Sequence, residues 1–274
     1  MLWQRILTGI PLAVVAIWFI LSQSTDALFY ALLTVSAVAA WEWSRLSGIS
    51  NLLLRSIYTL VILAVIYVSY PFVLQQQLIF NAIIIVALIW WSSVIYRMST
   101  RGPGAPSEET SLVKALLGFI ALVPAILALL YIHQKYQGAY WMLYSLSIIW
   151  IADIGAYFSG RKFGKNKLAP TISPGKTLEG MYGALIATTI YTMAATVFFN
   201  LDVIQTVLLL VVAFFATLLS IAGDLYISLL KRERGVKDSG AILPGHGGVL
   251  DRIDSITSSA PFFALLLDLI VFNV

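Results

Sequence analysis

The sequence predicts an all-α polytopic integral membrane protein with about nine transmembrane helices. Composition and hydropathy carry this prediction. Of the 274 residues 60% are apolar and only 11% are charged, and the mean hydropathy is +0.91, whereas a soluble domain carries about 25% charged residues. A membrane-spanning helix needs about 20 mostly apolar residues. Nine stretches approach that length, at about residues 5–22, 27–44, 56–74, 78–96, 112–133, 139–160, 180–199, 203–230 and 255–272.

The distribution of cations predicts the orientation. Sixteen of the 17 Lys and Arg residues lie in the N-terminal segment or in the connections after even-numbered spans, and only Lys135 lies on the other side. The positive-inside rule therefore places the N-terminus in the cytosol and the C-terminus outside. This asymmetry also explains the net charge of +4 without a nucleic-acid partner. The absence of cysteine excludes disulfides and a cysteine nucleophile.

Two parts of the chain are expected to differ in role. Residues 1–110 predict about four N-terminal membrane helices, and residues 111–274 predict the catalytic membrane helices. The second part contains two long polar connections on the cytosolic side, 161–180 and 231–254. These two connections are therefore the predicted location of a polar site.

Acidic residues within the predicted spans are the first candidates, since a carboxylate in the bilayer is costly and usually functional. Asp153 and Asp224 lie seven or eight residues before a basic connection, roughly 10–12 Å below the cytosolic helix ends, which suggests one shared pocket. Ser220, Asp224 and Ser228 recur every four residues and predict a polar stripe, as do Asp153 and Tyr157. The alternative is a network of hydrogen bonds between helices.

The segment 231–254 combines a glycine-rich turn with carboxylates and cations. Gly247 and Gly248 would let the backbone approach a phosphate, and Asp251 and Asp254 would share a face of the last helix. Carboxylates suit Mg²⁺ and cations suit phosphate oxygens, so the segment predicts a phosphoryl- or nucleotidyl-transfer site. A basic loop that only touches anionic headgroups is the alternative. The further charged candidates are Lys231, Arg232, Lys237, Asp238 and Arg252.

The segment 160–180 predicts a basic loop that leads into a helix. Its Gly-Lys-Thr does not form a P-loop, because Pro170 stands where that motif needs glycine and no strand is expected before it. Thr177 can cap the helix, and such a helix start attracts anions. A purely topological role is the alternative. The candidate binding residues are Lys165, Lys167, Ser173, Lys176 and Thr177.

Four other polar residues carry open interpretations. His246 could bind phosphate or only fix the glycine-rich turn. Glu42 could be an interfacial anchor paired with Arg45 or a part of the site. His133 is expected at the membrane interface, and Asp268 is expected to be structural.

Residues 228–254 resemble, without a gap, the signature of the phosphatidate cytidylyltransferases. In this chain the pattern is Ser-x-Leu-Lys-Arg, four residues, Lys-Asp-x-Gly, two residues, and Leu-Pro-x-His-Gly-Gly-Val-x-Asp-Arg-Ile-Asp. Ser-Pro-x-Lys-Thr-x-Glu-Gly at 173–180, Gly-Arg-x-x-Gly at 160–164 and Glu-Trp at 42–43 are also similar to this family. The resemblance spans most of the chain, and its last third carries the diagnostic pattern.

The resemblance implies an enzyme of the cytoplasmic (inner) membrane that condenses CTP with phosphatidic acid. It implies Mg²⁺, a second, monovalent cation such as K⁺, and a homodimer. The metal-binding aspartates would be Asp224 and Asp251, and the phosphate-binding cations would be Lys231, Lys237 and Arg252. Together with the residue patterns, the resemblance assigns catalysis to Asp224, Asp251, Asp254, Lys237, His246 and Arg252. Substrate binding is assigned to Asp153, Tyr157, Lys165, Lys167, Ser173, Lys176, Thr177, Ser228, Lys231, Arg232, Asp238, Gly247 and Gly248.

Two other functions would share parts of this pattern, an ion-coupled transporter and a lipid or polyprenol kinase. An ion-coupled transporter would need polar residues on both sides of the membrane and inverted repeats, and the sequence has neither. A lipid or polyprenol kinase would share the Mg²⁺ and phosphate chemistry, and its nucleotide product would separate it from a cytidylyltransferase.

Overall fold

The computed structural model describes residues 2–100, 104, 109–242, 245 and 247–272. Within these residues the chain forms nine α-helices, a short hairpin and a terminal π-helical turn, Asp268–Phe272. The helices are α1 Leu2–Ser22, α2 Thr25–Leu46, α3 Leu52–Gln75, α4 Gln77–Thr100, α5 Leu112–His133, α6 Gly138–Phe163, α7 Leu178–Phe198, α8 Val203–Glu233 and α9 Leu250–Leu267. The hairpin strands are β1 Lys167–Ala169 and β2 Ser173–Thr177.

The all-α membrane fold is confirmed. Across the described residues, eight helices are long and apolar enough to span a bilayer. The first predicted span is the exception, since its apolar stretch there, Pro11–Ser22, is shorter than a span. Two predicted boundaries also move: α8 continues to Glu233, and α9 begins at Leu250 rather than near 255.

Polar contacts join the helix ends into two opposite groups. At one end, which we call the basic end, Lys114 and Arg97 pair with Glu233 at 3.0 and 3.9 Å, and the amide of Ser111 donates to the carbonyl of Ser47. The cation-rich connections therefore meet at one end, as the charge distribution predicts.

The other end is closed by buried polar contacts. Asp268 accepts a hydrogen bond from Gln77 at 2.7 Å, pairs with Lys135 at 3.1 Å and contacts the hydroxyl of Tyr131. These contacts agree with a structural role for Asp268. His133 ends α5 with its ring buried: Nε2 donates to the carbonyl of Ile20, and Nδ1 accepts from the Thr25 hydroxyl. Its position at the membrane interface stays a prediction.

Helix α5 lies at the centre of the core, and 15 of its residues are buried. Two aromatic side chains tie it to its neighbours: Trp43 Nε1 donates to the carbonyl of Lys114 at 2.8 Å, and the Tyr58 hydroxyl donates to that of Ala115 at 2.8 Å. Gly118 leaves room for both rings, because a Cβ there would lie 2.1 Å from the Tyr58 oxygen. This packing fixes α2, whose end carries Glu42.

The connection between α6 and α7 is not the plain loop that the sequence predicts. Strands β1 and β2 pair antiparallel, with Lys167 opposite Thr177 and Ala169 opposite Ser173. A strand, β1, does precede the Gly-Lys-Thr triplet, which the sequence does not predict. The triplet itself lies within strand β2 and not in a loop, so it is not a P-loop. The Glu179 carboxylate holds the turn by accepting from the amides of Lys165 and Asn166. Thr177 caps α7 as predicted, since its Oγ1 accepts from the amide of Gly180 at 3.1 Å.

Helices α6 and α7 approach closely through small residues. A Cβ added at Gly183 would lie 2.2 Å from Cβ of Ser159 and 2.8 Å from the carbonyl oxygen of Gly155. Small residues permit such contact between membrane helices. Because α6 carries Asp153 and α7 follows Lys176, this contact sets the separation of two candidate site residues.

Gly183→Val is expected to destabilise the folded protein, because the valine forces α6 and α7 apart. Overpacking of this kind costs about 1–3 kcal/mol, and the apparent Tm in detergent measures it. Gly175→Ala is the control, since a Cβ at Gly175 meets nothing within 4 Å. Equal Tm values for the two variants would contradict the close packing.

Candidate active site

Asp224 lies in the middle of the polar stripe on α8. Its Oδ2 is 2.7 Å from Nζ of Lys176, and its Oδ1 accepts from the hydroxyl of Ser228 at 3.2 Å. Both charged side chains are partly open, with exposed fractions of 32% and 26%. Ser220, one turn deeper, is buried and donates to the carbonyl of Thr217. The predicted stripe is therefore present, and its basic end meets the hairpin through Lys176.

Two more carboxylates lie around Asp224. Asp153 on α6 interacts electrostatically with Asp224, Lys176 and Arg252. Asp254 on α9 is 9% exposed, accepts from the amide of Ser255, and interacts with the charges of Asp224, Lys176 and Lys231. The structure therefore brings Asp153 and Asp224 to one place, as their equal depths predict. We call Asp153, Asp224 and Asp254 the acidic cluster. Lys176 is the cation that interacts with all three of these carboxylates.

A pocket of about 380 Å³ opens beside the acidic cluster. Its polar wall contains Asp153, Tyr157, Arg161, Lys176 and Thr177, and it lies between α6, the hairpin and α7. Pockets of this size, about 300–1,000 Å³, hold small ligands. We call it the polar pocket. Arg161 was not among the predicted site residues, although it belongs to the Gly-Arg-x-x-Gly pattern, and it donates to the Tyr157 hydroxyl at 3.2 Å.

Asp251 has a different environment, fully occupied by protein groups. Its Oδ1 is 2.7 Å from Nζ of Lys231, and its Oδ2 accepts from the amide and the hydroxyl of Ser239 and from the amide of Gly248. The side chain is 6% exposed. The N–H of Gly248 therefore donates to Asp251, whereas the sequence predicts that it would bind a phosphate. Only Oδ1 of Asp251 could exchange its partner for a ligand.

Glu42 holds the start of α9 from the other end of the sequence. Its carboxylate accepts from the amides of Val249 and Leu250, at 3.1 and 2.8 Å, and from the Ser239 hydroxyl at 2.8 Å. Val249, at the N-cap, makes no side-chain cap of its own. Glu42 therefore supplies the cap, which explains why α9 begins earlier than predicted. Glu42 therefore contacts the segment that carries Asp251 rather than Arg45. These contacts favour a part in the site over an interfacial anchor.

The remaining candidates lie around this core of the site. Arg232 is exposed and donates from Nε to the carbonyl of Ile172, so it ties α8 to the hairpin. Ser173 is half-buried in β2, and Gly247 has the positive φ of +81° that glycine tolerates. His246 falls outside the described residues. The exposed candidates are Lys165, Lys167, Lys237 and Asp238.

The acidic cluster fits a divalent cation that shares its ligands with a substrate. No three acidic or histidine side chains of the described segments are arranged to chelate a metal by themselves. Asp153 and Asp254 lie around the ion pair of Asp224 with Lys176, and the charges of Arg252 and Lys231 also act on them. Mg²⁺ commonly takes only one or two protein carboxylates and completes its shell with water and phosphates. Asp224, partly open, suits that role.

Comparison with known proteins covers nearly the whole chain. The model of the "Cytidylyltransferase family" matches residues 3–270. A protein of Haemophilus influenzae named phosphatidate cytidylyltransferase is 36% identical, over 96% of this chain and 98% of that protein. A Pseudomonas aeruginosa protein of the same name is 38% identical over 97% of each chain. A Staphylococcus saprophyticus protein, again of this name, is 42% identical over 50% of this chain and 53% of its own length.

Fold and site together define a polytopic membrane enzyme with its charged site at one end of the helix bundle. The chain belongs to the cytidylyltransferase family. The resemblance seen in the segment 228–254 is confirmed.

Proposed function

We propose that this protein transfers the cytidylyl group of CTP to the phosphate of phosphatidic acid. The products are CDP-diacylglycerol, an intermediate of phospholipid biosynthesis, and pyrophosphate. The similarity over nearly the full length to two proteins named phosphatidate cytidylyltransferase carries the proposal. The acidic cluster beside a cation-lined pocket supports it, because this is the chemistry that two phosphate-bearing substrates require.

The polar pocket is the proposed site of the nucleotide. Lys176 and Arg161 supply positive charge to its wall, and such groups bind phosphate oxygens strongly. The pocket lies at the basic end, which we place in the cytosol because CTP arrives from water there. The enzyme would then lie in the inner membrane, as a homodimer if the resemblance extends to assembly.

The chemical step needs orientation and charge balance more than proton transfer. An oxygen of the lipid phosphate attacks the α-phosphorus of CTP and forms a new P–O bond. The bond to the oxygen that bridges to the β-phosphate breaks, and pyrophosphate leaves with the electron pair. A phosphate monoester has its second pKa near 6, so it is mostly dianionic at pH 7 and needs no strong base.

The residues of the site act on the repulsion between two anionic substrates. Lys176, Lys231 and Arg252 place positive charge around the acidic cluster, where it can stabilise charge on the leaving pyrophosphate. Mg²⁺, when bound, would neutralise phosphate charge between the substrates. Asp224 and Asp251 would hold it, with Asp254 near by. A monovalent cation such as K⁺ in the same cluster remains a prediction.

Product analysis tests the function. Purified protein is incubated with labelled phosphatidic acid, CTP and Mg²⁺, and we expect CDP-diacylglycerol and one equivalent of pyrophosphate, both lost with EDTA. Release of a nucleoside diphosphate from ATP, with phosphorylation of a lipid alcohol, would indicate a lipid kinase instead. Failure of correctly folded protein to form CDP-diacylglycerol would overturn the proposal.

A further inference from the structure

A cavity of about 400 Å³ lies between α1, α2, α5, α6 and α9, on the side of α9 away from the hairpin. We call it the α1–α2 cavity. Its walls are aliphatic and aromatic, with Leu12 and Phe19 from α1, Leu32 from α2 and Leu129 from α5 among them. It extends along α1 from Leu12 to Ile20, which is about 12 Å at 1.5 Å per residue. An apolar cavity of this size does not hold water stably, so its occupant is apolar.

One charged residue lies in this wall, at the basic end. Arg252 on α9 contributes to the cavity beside Val249, and its charge also acts on Asp153 of the acidic cluster. The lining is apolar throughout, so the aliphatic stem of Arg252 borders the cavity. Its guanidinium lies outside that lining, and its charge acts on the proposed site of reaction. This combination is complementary to a lipid whose headgroup is a phosphate.

A second apolar groove, of about 580 Å³, lies between α4, α8 and the hairpin. It shares Leu168, Met181 and Ile221 with the polar pocket. Its polar wall residues are the neutral Ser92 and Ser99, and no charged residue of the described chain lines it. A cation borders each space: Arg232 donates to the carbonyl of Ile172 in the wall of this groove, and the stem of Arg252 borders the α1–α2 cavity. Of these two, Arg252 is the one whose charge acts on the acidic cluster.

We infer that the α1–α2 cavity holds an acyl chain of the phosphatidic acid substrate, with the lipid phosphate beside Arg252. The inference rests on the proposed function and adds where the lipid lies. Nucleotide and lipid then approach the acidic cluster from opposite sides, the polar pocket and the α1–α2 cavity. Helix α1, which forms the outer wall, becomes part of the substrate site.

Photo-crosslinking of the unmodified protein tests this location directly. The protein is placed in phosphatidylcholine nanodiscs with phosphatidic acid that carries a diazirine in one acyl chain, and adducts are located by mass spectrometry. We expect adducts within residues 12–35 and 122–129, reduced by unlabelled phosphatidic acid and not by added phosphatidylcholine. Adducts on residues 88–99 and 215–225 would place the chain in the second groove and overturn the inference. Adducts that phosphatidic acid does not reduce would indicate bulk lipid and overturn it too.

A cavity-filling variant gives a second, kinetic test. Ala31 on α2 lines the cavity and is half-buried, so Ala31→Phe fills part of the space. We expect the ratio of kcat/KM for dioleoyl to dihexanoyl phosphatidic acid to fall by about tenfold, the scale on which apolar pockets discriminate chain size. Ala37→Phe is the matched control, because Ala37 is half-buried on the same helix and does not line the cavity.

The two hypotheses fail in different ways. If the wild-type protein makes no CDP-diacylglycerol, the proposed function fails, whatever the adducts show. If it makes the product and Ala31→Phe leaves the chain-length ratio equal to that of Ala37→Phe, the lipid location fails while the function stands. A variant that does not fold leaves the crosslinking result to decide.

Discussion

Asp224→Asn is expected to lower kcat for cytidylyl transfer by about 10²–10³-fold, the loss that follows removal of one well-placed electrostatic group. The change keeps the shape of the side chain and its contact with Ser228, and it removes the charge that pairs with Lys176. Because the side chain is 32% exposed, folding should survive. Initial rates of pyrophosphate release measure the effect, and the apparent Tm should stay close to the wild-type value.

Asp251→Asn is the informative comparison. This variant also loses activity, but it breaks the ion pair with Lys231 and disturbs the contacts with Ser239 and Gly248. Breaking a buried pair costs about 3–5 kcal/mol, so we expect a clear fall in apparent Tm as well. Near-normal turnover of Asp224→Asn would contradict the role of Asp224 in the reaction. An unchanged Tm of Asp251→Asn would contradict the stabilising contacts of Asp251 with Lys231, Ser239 and Gly248.

Much of the fold follows from the sequence because its determinants are local. Apolar length alone identifies most of the membrane helices, and the four-residue spacing identifies the stripe through Asp224 and Ser228. The cap at Thr177 is also local, since donor and acceptor lie three residues apart. In each case the physical cause acts within one or two helical turns.

The parts that the sequence does not reveal depend on distant partners. The hairpin strands are three and five residues long and lack an alternating apolar pattern, so nothing local indicates them. The burial of the His133 ring depends on Ile20 of α1 and Thr25 of α2, which lie more than 100 residues earlier. The cap of α9 comes from Glu42, more than 200 residues earlier. Such contacts exist only after the helices pack.

Glu42→Gln is expected to impair both stability and turnover, although Glu42 touches no proposed substrate position. Its two oxygens satisfy the amides of Val249 and Leu250, and an amide side chain keeps one acceptor oxygen, so at least one buried N–H is left unpaired. Each such group costs about 1–3 kcal/mol. Thermal unfolding in detergent should show this as a lower apparent Tm.

The effect on turnover follows from Ser239, whose hydroxyl lies between Glu42 and Asp251, 2.8 and 3.0 Å from their oxygens. Loosening the start of α9 displaces Asp251 and Arg252 together, so the Mg²⁺ concentration for half-maximal rate should rise along with the fall in kcat. Asp26→Asn is the control, because this exposed carboxylate lies at the opposite end and, among the described residues, accepts a hydrogen bond from the hydroxyl of Tyr70 alone. If Glu42→Gln lowers the Tm and also raises the Mg²⁺ concentration for half-maximal rate, Glu42 positions the metal-binding segment. A lower Tm with an unchanged Mg²⁺ requirement would show that Glu42 has a structural role alone.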